Sequence, residues 1–300
     1  MRILNHIWMF AILLLTCETT ALARLPRYAH VILIGADGFS ATAIKNNPGR
    51  FKNIENLIRE GSWTLECRSV LPSSSAINWE TLLSGAGSEM HGFSDWGSKV
   101  PDFPPVYVDH WGMFPTLFGV IRDQMPKAET GVIYSWDGIG YLYPKAAVNY
   151  DKLCSMDDEA VVKESMRYIQ EKSPNFLFTY FSQPDPSGHK YEWESNEYLI
   201  ACDEVDRQVG ELVDFIRKHL DMKSTAIIFT SDHGGHNAVH GGKSMEDMNV
   251  LFTVVGNKID KGRQLNFPMM KYDVAPTILQ MLRLKAPEEW RGKSIFRKQE

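Results

Sequence analysis

Three stretches decide the fold: VILIGADG at Val31–Gly38, FLFTYFSQPD at Phe176–Asp185 and AIIFTSDHGG at Ala226–Gly235. Each is an apolar run of strand length that closes on a carboxylate, Asp37, Asp185 or Asp232. Short continuous apolar runs bounded by Gly and Pro fit strands buried on both faces of a parallel sheet. Open α/β sheets bind ligands beyond the carboxyl ends of their strands. Three strand ends carrying hard-cation ligands are therefore expected to converge on one crevice. His189 follows Asp185 by four residues, His233 follows Asp232 directly, and His240 stands seven residues later in a Gly-rich turn. Three Asp and three His suffice for two divalent ions. The segment LPSSSAIN, Leu71–Asn78, offers a hydroxyl nucleophile beside them. The set predicts a two-metal phosphoryl-transfer hydrolase.

Outward from these strands the chain alternates. Further strands are expected over Thr64–Val70, Gly131–Ser135 and Asn249–Val255, and helices over Asn53–Glu60, Ala76–Leu83, Thr116–Gln124, Asp157–Glu171, Ser195–Leu220 and Val274–Leu282. In the longest helix Val205, Val209, Leu212, Val213 and Ile216 recur at core-facing spacing. Such alternation predicts a layered α/β domain with a mostly parallel sheet. Neither a repeat nor a low-complexity linker divides residues 24–300, so one domain is expected. The exception to regular patterning is residues 95–115, with Pro101, Pro104, Pro105 and Pro115 among Trp96, Phe103, Tyr107, Trp111 and Phe114. Proline at that density blocks regular structure. Its rings either pin an ordered loop to the body or wall the substrate side of the site.

The 300 residues are 44% hydrophobic and 23% charged, with a net charge of −5, an ordinary globular composition. Arg2, the apolar run Ile7–Leu15 and Ala21-Leu22-Ala23 read as a secretory signal peptide over residues 1–23, and predict a secreted or periplasmic protein. Lipid attachment at Cys17 and a retained anchor are the alternatives, although the run is too short for a stable membrane span. No cluster of Lys or Arg supplies a nucleic-acid groove. Cys67, Cys154 and Cys202 allow at most one disulfide, and no C-x-x-C pair suggests a thiolate metal or redox site.

Several residues need individual weighing. Pro184, Pro186 and Gly188 predict a tight non-helical turn that aims Asp185 and His189 inward. Adjacent Asp232 and His233 can share a site only through a kinked turn, which Gly234 and Gly235 would permit. His240, flanked by Gly241-Gly242, is preferred over His236 as the last ligand, with His236 behind the ligands or exposed. His91 reads as structural. Ser73, Ser74 and Ser75 run into a helix start, where free N–H groups favour phosphate, or where one serine is simply an N-cap.

At this point the order of residues resembles the alkaline phosphatase superfamily, and within it the type I phosphodiesterase/nucleotide pyrophosphatase family. Pro72, Ser75 and Asn78 match P-x-x-[TS]-x-x-N. Ser84-Gly85 and His91-Gly92 match the T-G and H-G pairs, Pro184-Asp185 to Gly188-His189 match P-D-x-x-G-H, and Ser231–Gly234 match S-D-H-G. DVAPT at Asp273–Thr277 and PEEWRGK at Pro287–Lys293 resemble the closing segment. The resemblance spans roughly residues 30–296 and implies an alkaline-phosphatase-like three-layer α/β/α sandwich. It implies two zinc ions, one on Asp185, His189 and His240, the other on Asp37, Asp232, His233 and the Ser75 hydroxyl. Manganese or iron suit the same donors. It implies in-line attack by Ser75, a phosphoserine intermediate, and small phosphate esters or nucleotides as substrates.

The sequence departs from that family in three places. Serine stands where diesterases usually carry a threonine nucleophile. Trp96 occupies the position of an oxyanion-binding asparagine, which leaves Asn78, Lys99 or backbone N–H groups to stabilise phosphate. An indole there, with Tyr107, Trp111 and Phe114, could instead form a flat wall for a base or aryl group. His240 follows Asp232 by only eight residues, the spacing of shorter members. Diester against monoester preference therefore stays open, with a phosphomonoesterase or phosphonate hydrolase and an inactive secreted metal-binding module as alternatives. A sulfatase lacks support because Cys67-Arg68 does not extend to C-x-P-x-R, and 300 residues leave no room for the inserted domain of a cofactor-independent phosphoglycerate mutase.

Overall fold

The computed structural model describes residues 28–296, so the expected leader and Cys17 lie outside the described residues. The chain opens with β1 (His30–Asp37), α1 (Ala41–Asn46), α2 (Lys52–Glu60) and β2 (Ser62–Arg68). Three helices follow, α3 (Ser75–Ser84), α4 (Ser88–His91) and α5 (Leu117–Gln124), then β3 (Thr130–Tyr134) and β4 (Tyr150–Leu153). The central stretch is α6 (Asp158–Lys172), β5 (Phe176–Pro184), α7 (Asp185–Tyr191), α8 (Asn196–His219) and β6 (Thr225–Ser231). The chain continues through α9 (Met245–Met248), β7 (Asn249–Gly256), β8 (Arg263–Gln264), β9 (Met269–Met270) and α10 (Val274–Leu282).

Among the described residues these strands make one nine-stranded sheet, ordered β4-β3-β5-β1-β6-β7-β2-β8, with β9 also on β2. The block β4-β3-β5-β1-β6 is parallel throughout, and β7 is antiparallel to both β6 and β2. Alternate residues of β1 feed two cores, Val31 and Leu33 one face, Ile32, Ile34 and Ala36 the other. The first face is covered by α3, α5 and α10 through Trp79, Leu82, Phe118, Ile121 and Ile278. The second is covered by α2, α6 and α8, whose Val205, Val209, Leu212, Val213 and Ile216 are all buried as their spacing requires. The result is the expected three-layer α/β/α sandwich with a mostly parallel sheet. The three described cysteines are free thiols, Cys67 and Cys202 buried.

One expectation changes and one alternative resolves. The segment after β5 is a helix, not an irregular turn: α7 begins at Asp185, so Pro186 falls in the first turn, where a missing N–H costs nothing. Gly188 sits within it because a Cβ there would stand 2.7 Å from the Trp193 indole. Also, of the two readings of the loop over residues 95–115, Trp111 and Phe114 follow the one in which rings pin it to the body. Phe114 is buried in the core, and the Trp111 indole donates to Asp123 of α5 at 3.2 Å. Tyr107 alone of those three keeps a large exposed fraction.

Candidate metal centre

Register places the three carboxylates. Asp37 of β1 stands opposite Pro184 of β5, the residue before Asp185, and Ala36 stands opposite Ser231 of β6, the residue before Asp232. Three adjacent parallel strands thus end at one level. Gly38 then turns with φ +65°, and a Cβ there would lie 2.9 Å from the Asp185 Cβ. Only glycine combines that left-handed turn with so close an approach. Its N–H donates to Asp232 Oδ1 at 3.1 Å, fixing one strand end against the next.

Two ligand-type groups result, Asp185 with His189 and His240, and Asp37 with Asp232 and His233. Within each, the donor atoms lie within 4.8 Å of one another. The i, i+4 spacing on α7 puts Asp185 and His189 on one helix face, with His189 Nε2 3.6 Å and His240 Nε2 3.7 Å from Asp185 Oδ1. His233 Nε2 lies 3.4 Å from Asp37 Oδ1, 3.3 Å from Asp232 Oδ2 and 4.0 Å from Asp185 Oδ1, which joins the two groups. Gly234 and Gly235 serve this arrangement by closeness and not by a left-handed turn. A Cβ on Gly234 would meet the Glu246 carbonyl at 2.1 Å, and one on Gly235 the Trp193 indole at 2.4 Å.

Every histidine is oriented from behind. Nδ1 of His189, His233 and His240 pairs with the carbonyls of Ala238 (3.0 Å), Gly234 (2.8 Å) and Ser73 (3.0 Å). A carbonyl can only accept, so each Nδ1 carries a proton and each Nε2 is directed at the centre, the orientation of a metal ligand. The Nε2 atoms of His189 and His240 stand 3.1 Å apart, and the buried oxygens Asp185 Oδ1 and Asp232 Oδ2 have no hydrogen-bond partner. Orphaned buried carboxyl oxygens and converging ring nitrogens are what a cation would satisfy, so the donor set fits divalent metal.

Without a cation, the buried groups of the centre compete for protons. Burial, then the Asp37 charge, pushes the Asp185 and Asp232 carboxyls up to about 7. Burial would also raise Asp37, but bonding and charge from His233, with bonds from Tyr180 and Trp79, outweigh it and hold the carboxyl below its ordinary value. Burial and then the His233 charge drop His240 to about 3. His233 is driven the other way, to about 10, by Asp232 and Asp37 against its burial.

Of the three serines, Ser75 faces the centre. Its Oγ lies 3.3 Å from Asp37 Oδ1 and 3.2 Å from His233 Nε2. Ser73 Oγ donates to the Gly242 carbonyl at 2.7 Å, and Ser74 Oγ lies 3.5 Å from His240 Nδ1 on the ring's far side. Asn78 does not reach the centre. Its Oδ1 accepts from Val70 N at 2.7 Å, and its Nδ2 donates to the carbonyls of Val70, Pro72 and Ser74, so it braces the turn before α3. The Ala76 N–H, one of the amides expected to meet phosphate, donates to the Trp96 carbonyl at 3.1 Å. That bond places Trp96 beside the Ser73–Ser75 segment, with the residue 62% exposed. Lys99 is exposed and paired with Asp137 at 3.3 Å. His91 is a buried structural residue bonded to Thr81 at 3.0 Å, as its sequence context suggests.

Sequence reasoning missed the groups that hold the ligands. Asp37 Oδ2 accepts from the Tyr180 hydroxyl and from Trp79 Nε1 at 3.1 Å. Tyr180 lies within one of the three deciding stretches and Trp79 one helical turn past Ser75, positions that read simply as core. Buried Asp247 accepts from Gly242 N at 2.8 Å and bonds His236 Nδ1 at 2.6 Å, which pins the loop carrying His240.

A profile of the type I phosphodiesterase / nucleotide pyrophosphatase family matches residues 31–271. The chain belongs to that family. Venom phosphodiesterase CdcPDE of Crotalus durissus collilineatus is 30% identical over 225 residues, 68% of this chain and 26% of the venom protein. Bis(5'-adenosyl)-triphosphatase ENPP4 of Bos taurus is 25% identical over 225 residues, covering 47% of its own length. The chain thus spans between a quarter and half of these curated relatives. Among solved structures, murine ectonucleotide pyrophosphatase/phosphodiesterase 5 shares the fold with a TM-score of 0.68 at 16% identity, over 86% of this chain and 96% of that one. A 2-O GAG sulfatase shares it at 0.67 and 13% identity, over 89% and 73%.

Proposed function

We propose that the chain is a two-zinc hydrolase of phosphodiester or pyrophosphate bonds in nucleotide-type substrates, with Ser75 as nucleophile. The observation that carries the reading is the Ser75 hydroxyl, set between Asp37 Oδ1 and His233 Nε2 while its two neighbouring serines are bonded elsewhere. Asp185, His189 and His240 would hold one ion, and Asp37, Asp232 and His233, with the Ser75 hydroxyl, the other. Bound there, the ions supply Lewis acidity to the phosphoryl oxygens and to the attacking and departing oxygens. Family membership and the bovine relative's dinucleoside-triphosphatase name support the nucleotide class.

The residues' own part follows from their geometry. Ser75 donates its proton toward Asp37 Oδ1, which leaves an oxygen lone pair for phosphorus. The Ser75 Oγ–P bond forms as the bond from phosphorus to the departing group breaks, and that group leaves with a proton. Water then cleaves the phosphoserine ester and returns the serine. Asn78 acts by holding the turn that aims Ser75. Neither Asn78 nor the Ala76 amide is free to donate to the phosphate, and Lys99 is tied to Asp137. Without those donors a singly charged diester is easier to accommodate than a doubly charged monoester, which favours the diester reading. The leader-like residues 1–23 support export to the periplasm or outside the cell.

The test compares a bis-aryl phosphate, an aryl monoester, a nucleoside aryl phosphate and an aryl sulfate with zinc supplied, for wild type, Ser73→Ala and Ser75→Ala. Diester or nucleotide turnover that falls by several orders of magnitude in Ser75→Ala alone is expected. Equal losses in both variants, or monoester turnover dominating, would remove the assignment.

A further inference from the structure

Lys271 lies outside every motif discussed so far, yet it is fully buried under the metal centre. The β9–β2 pairing, with Met269 opposite Cys67 and Met270 opposite Arg68, delivers it to the underside of the β6 end. Its Nζ donates to Thr230 Oγ1 at 2.9 Å and to the carbonyl of Ser231, the residue before Asp232. Thr230 Oγ1 donates its own hydrogen bond to the Leu251 carbonyl at 2.8 Å, so it accepts from the lysine. The remaining partner is the Cys67 thiol, which burial keeps protonated. All three partners are neutral. The ligand-type carboxylate that acts on the ammonium is Asp232, one residue beyond the Ser231 carbonyl that Nζ meets, and it works against the burial that lowers the lysine's pKa.

Burying a lysine costs far more than burying an aliphatic chain of the same length, unless a negative field repays it. That field is here: Asp37, Asp185 and Asp232 meet within a few ångströms, with Asp185 Oδ1 and Asp232 Oδ2 unpartnered. We infer that Lys271 is a fixed internal countercharge to Asp232, which keeps the carboxylate centre assembled without metal and holds down its affinity for divalent cations. The inference rests on the metal-centre reading above. Its sign separates it from a packing role. A lysine that only anchored the strand end would, on removal, loosen the ligands and weaken metal binding. A countercharge, on removal, leaves the site one charge more negative and tightens it.

The experiment strips the full chain with a chelator at pH 8 and titrates zinc against a chromophoric competitor, for wild type, Lys271→Met, Lys271→Gln and Lys271→Arg. The Gln variant keeps donors for Ser231 and Thr230 should the Met variant fail to fold. Zinc Kd is expected to fall at least about tenfold at one site in the Met and Gln variants and to stay near wild type in Lys271→Arg. The melting temperature should drop more for the stripped Met or Gln variant than for its zinc-loaded form. Folded Met or Gln variants with unchanged or weaker zinc binding overturn the countercharge while leaving the metal centre standing. Wild type that takes up no zinc overturns the metal reading, and this inference with it.

Discussion

Tyr180→Phe isolates how far the ligands depend on the groups behind them. Asp37 is almost wholly buried, and its Oδ2 is held by two donors, the Tyr180 hydroxyl and Trp79 Nε1. Burial keeps the phenol far above its ordinary pKa, so it stays a donor across the working range. The substitution removes one of those two bonds and little else. The ring remains wedged edge-on to Trp79, with centroids 5.3 Å apart, and against Phe178 at 6.4 Å and Trp136 at 6.3 Å. A hydrogen bond to a charged acceptor contributes about 1.5–3 kcal/mol. If that energy orients Asp37 for metal, zinc affinity should weaken roughly 10- to 150-fold, the span to which it converts. Outer partners of metal ligands carry effects of that order. The assay is zinc competition on the stripped protein, with thermal melting alongside. A lowered melting temperature with unchanged zinc Kd would refute the argument, because the hydroxyl would then serve the core and not the ligand.

Three further outcomes are expected. Asn78→Ala should lose about 1–3 kcal/mol of stability by freeing the backbone groups at residues 70–74, and should lower turnover through a displaced Ser75; denaturant melts and kcat check this, and normal kcat at reduced stability would show that the turn holds without its brace. The stripped protein should lose stability from about pH 7 to pH 10: His233, raised to about 10, contributes stability at low pH that is lost as it deprotonates, while the similar contributions of Asp185 and Asp232, raised to about 7, are already spent by then and the opposite contribution of His240, lowered to about 3, is complete by its unfolded value of 6.5. Melting at pH 7 and pH 9.5 with and without zinc measures it, and a flat stripped profile would refute the charge assignment. Trp96→Ala should narrow any preference for nucleoside over methyl esters of one aryl phosphate by roughly 5- to 150-fold, the value of about 1–3 kcal/mol of base stacking; an unchanged kcat/KM ratio removes the exposed indole from recognition.

What the sequence revealed and what it hid divide along a physical line. Strands β1, β5 and β6 are buried on both faces, so their apolar runs stand out, and parallel pairing then forces Asp37, Asp185 and Asp232 to one level. Period 3.6 betrays α8 in the same way. Strands β4, β8 and β9 were not legible, being two to four residues long, with β4 and β8 lying largely exposed, so no hydrophobic pattern marks them. Helix α7 was misjudged because prolines announce a break unless they fall in a first turn, and sequence alone does not say where a turn begins. Asn78 shows a related effect. Its motif position fits a catalytic donor, but the bend over residues 70–74 has backbone groups to satisfy, and an amide three residues past Ser75 is the group within reach.

The same constraint explains why the second row of residues escaped. A candidate ligand is conspicuous because its type is Asp or His, here at or just beyond strand ends. The group that orients it can be any donor the fold brings near, and here these are a tyrosine and a tryptophan that also fill the core. Such residues do two jobs with different parts of one side chain: the ring packs, and the polar tip points at Asp37. Hydrophobic patterning reports only the first job. The second is set by where α3 crosses β1 and β5, a tertiary fact, and the Trp79 indole packed over Gly35 makes that crossing visible, since a Cβ on Gly35 would stand 2.5 Å from the ring. The absence of a side chain in β1 is thus what lets α3 come close enough for Trp79 to reach the carboxylate two residues on.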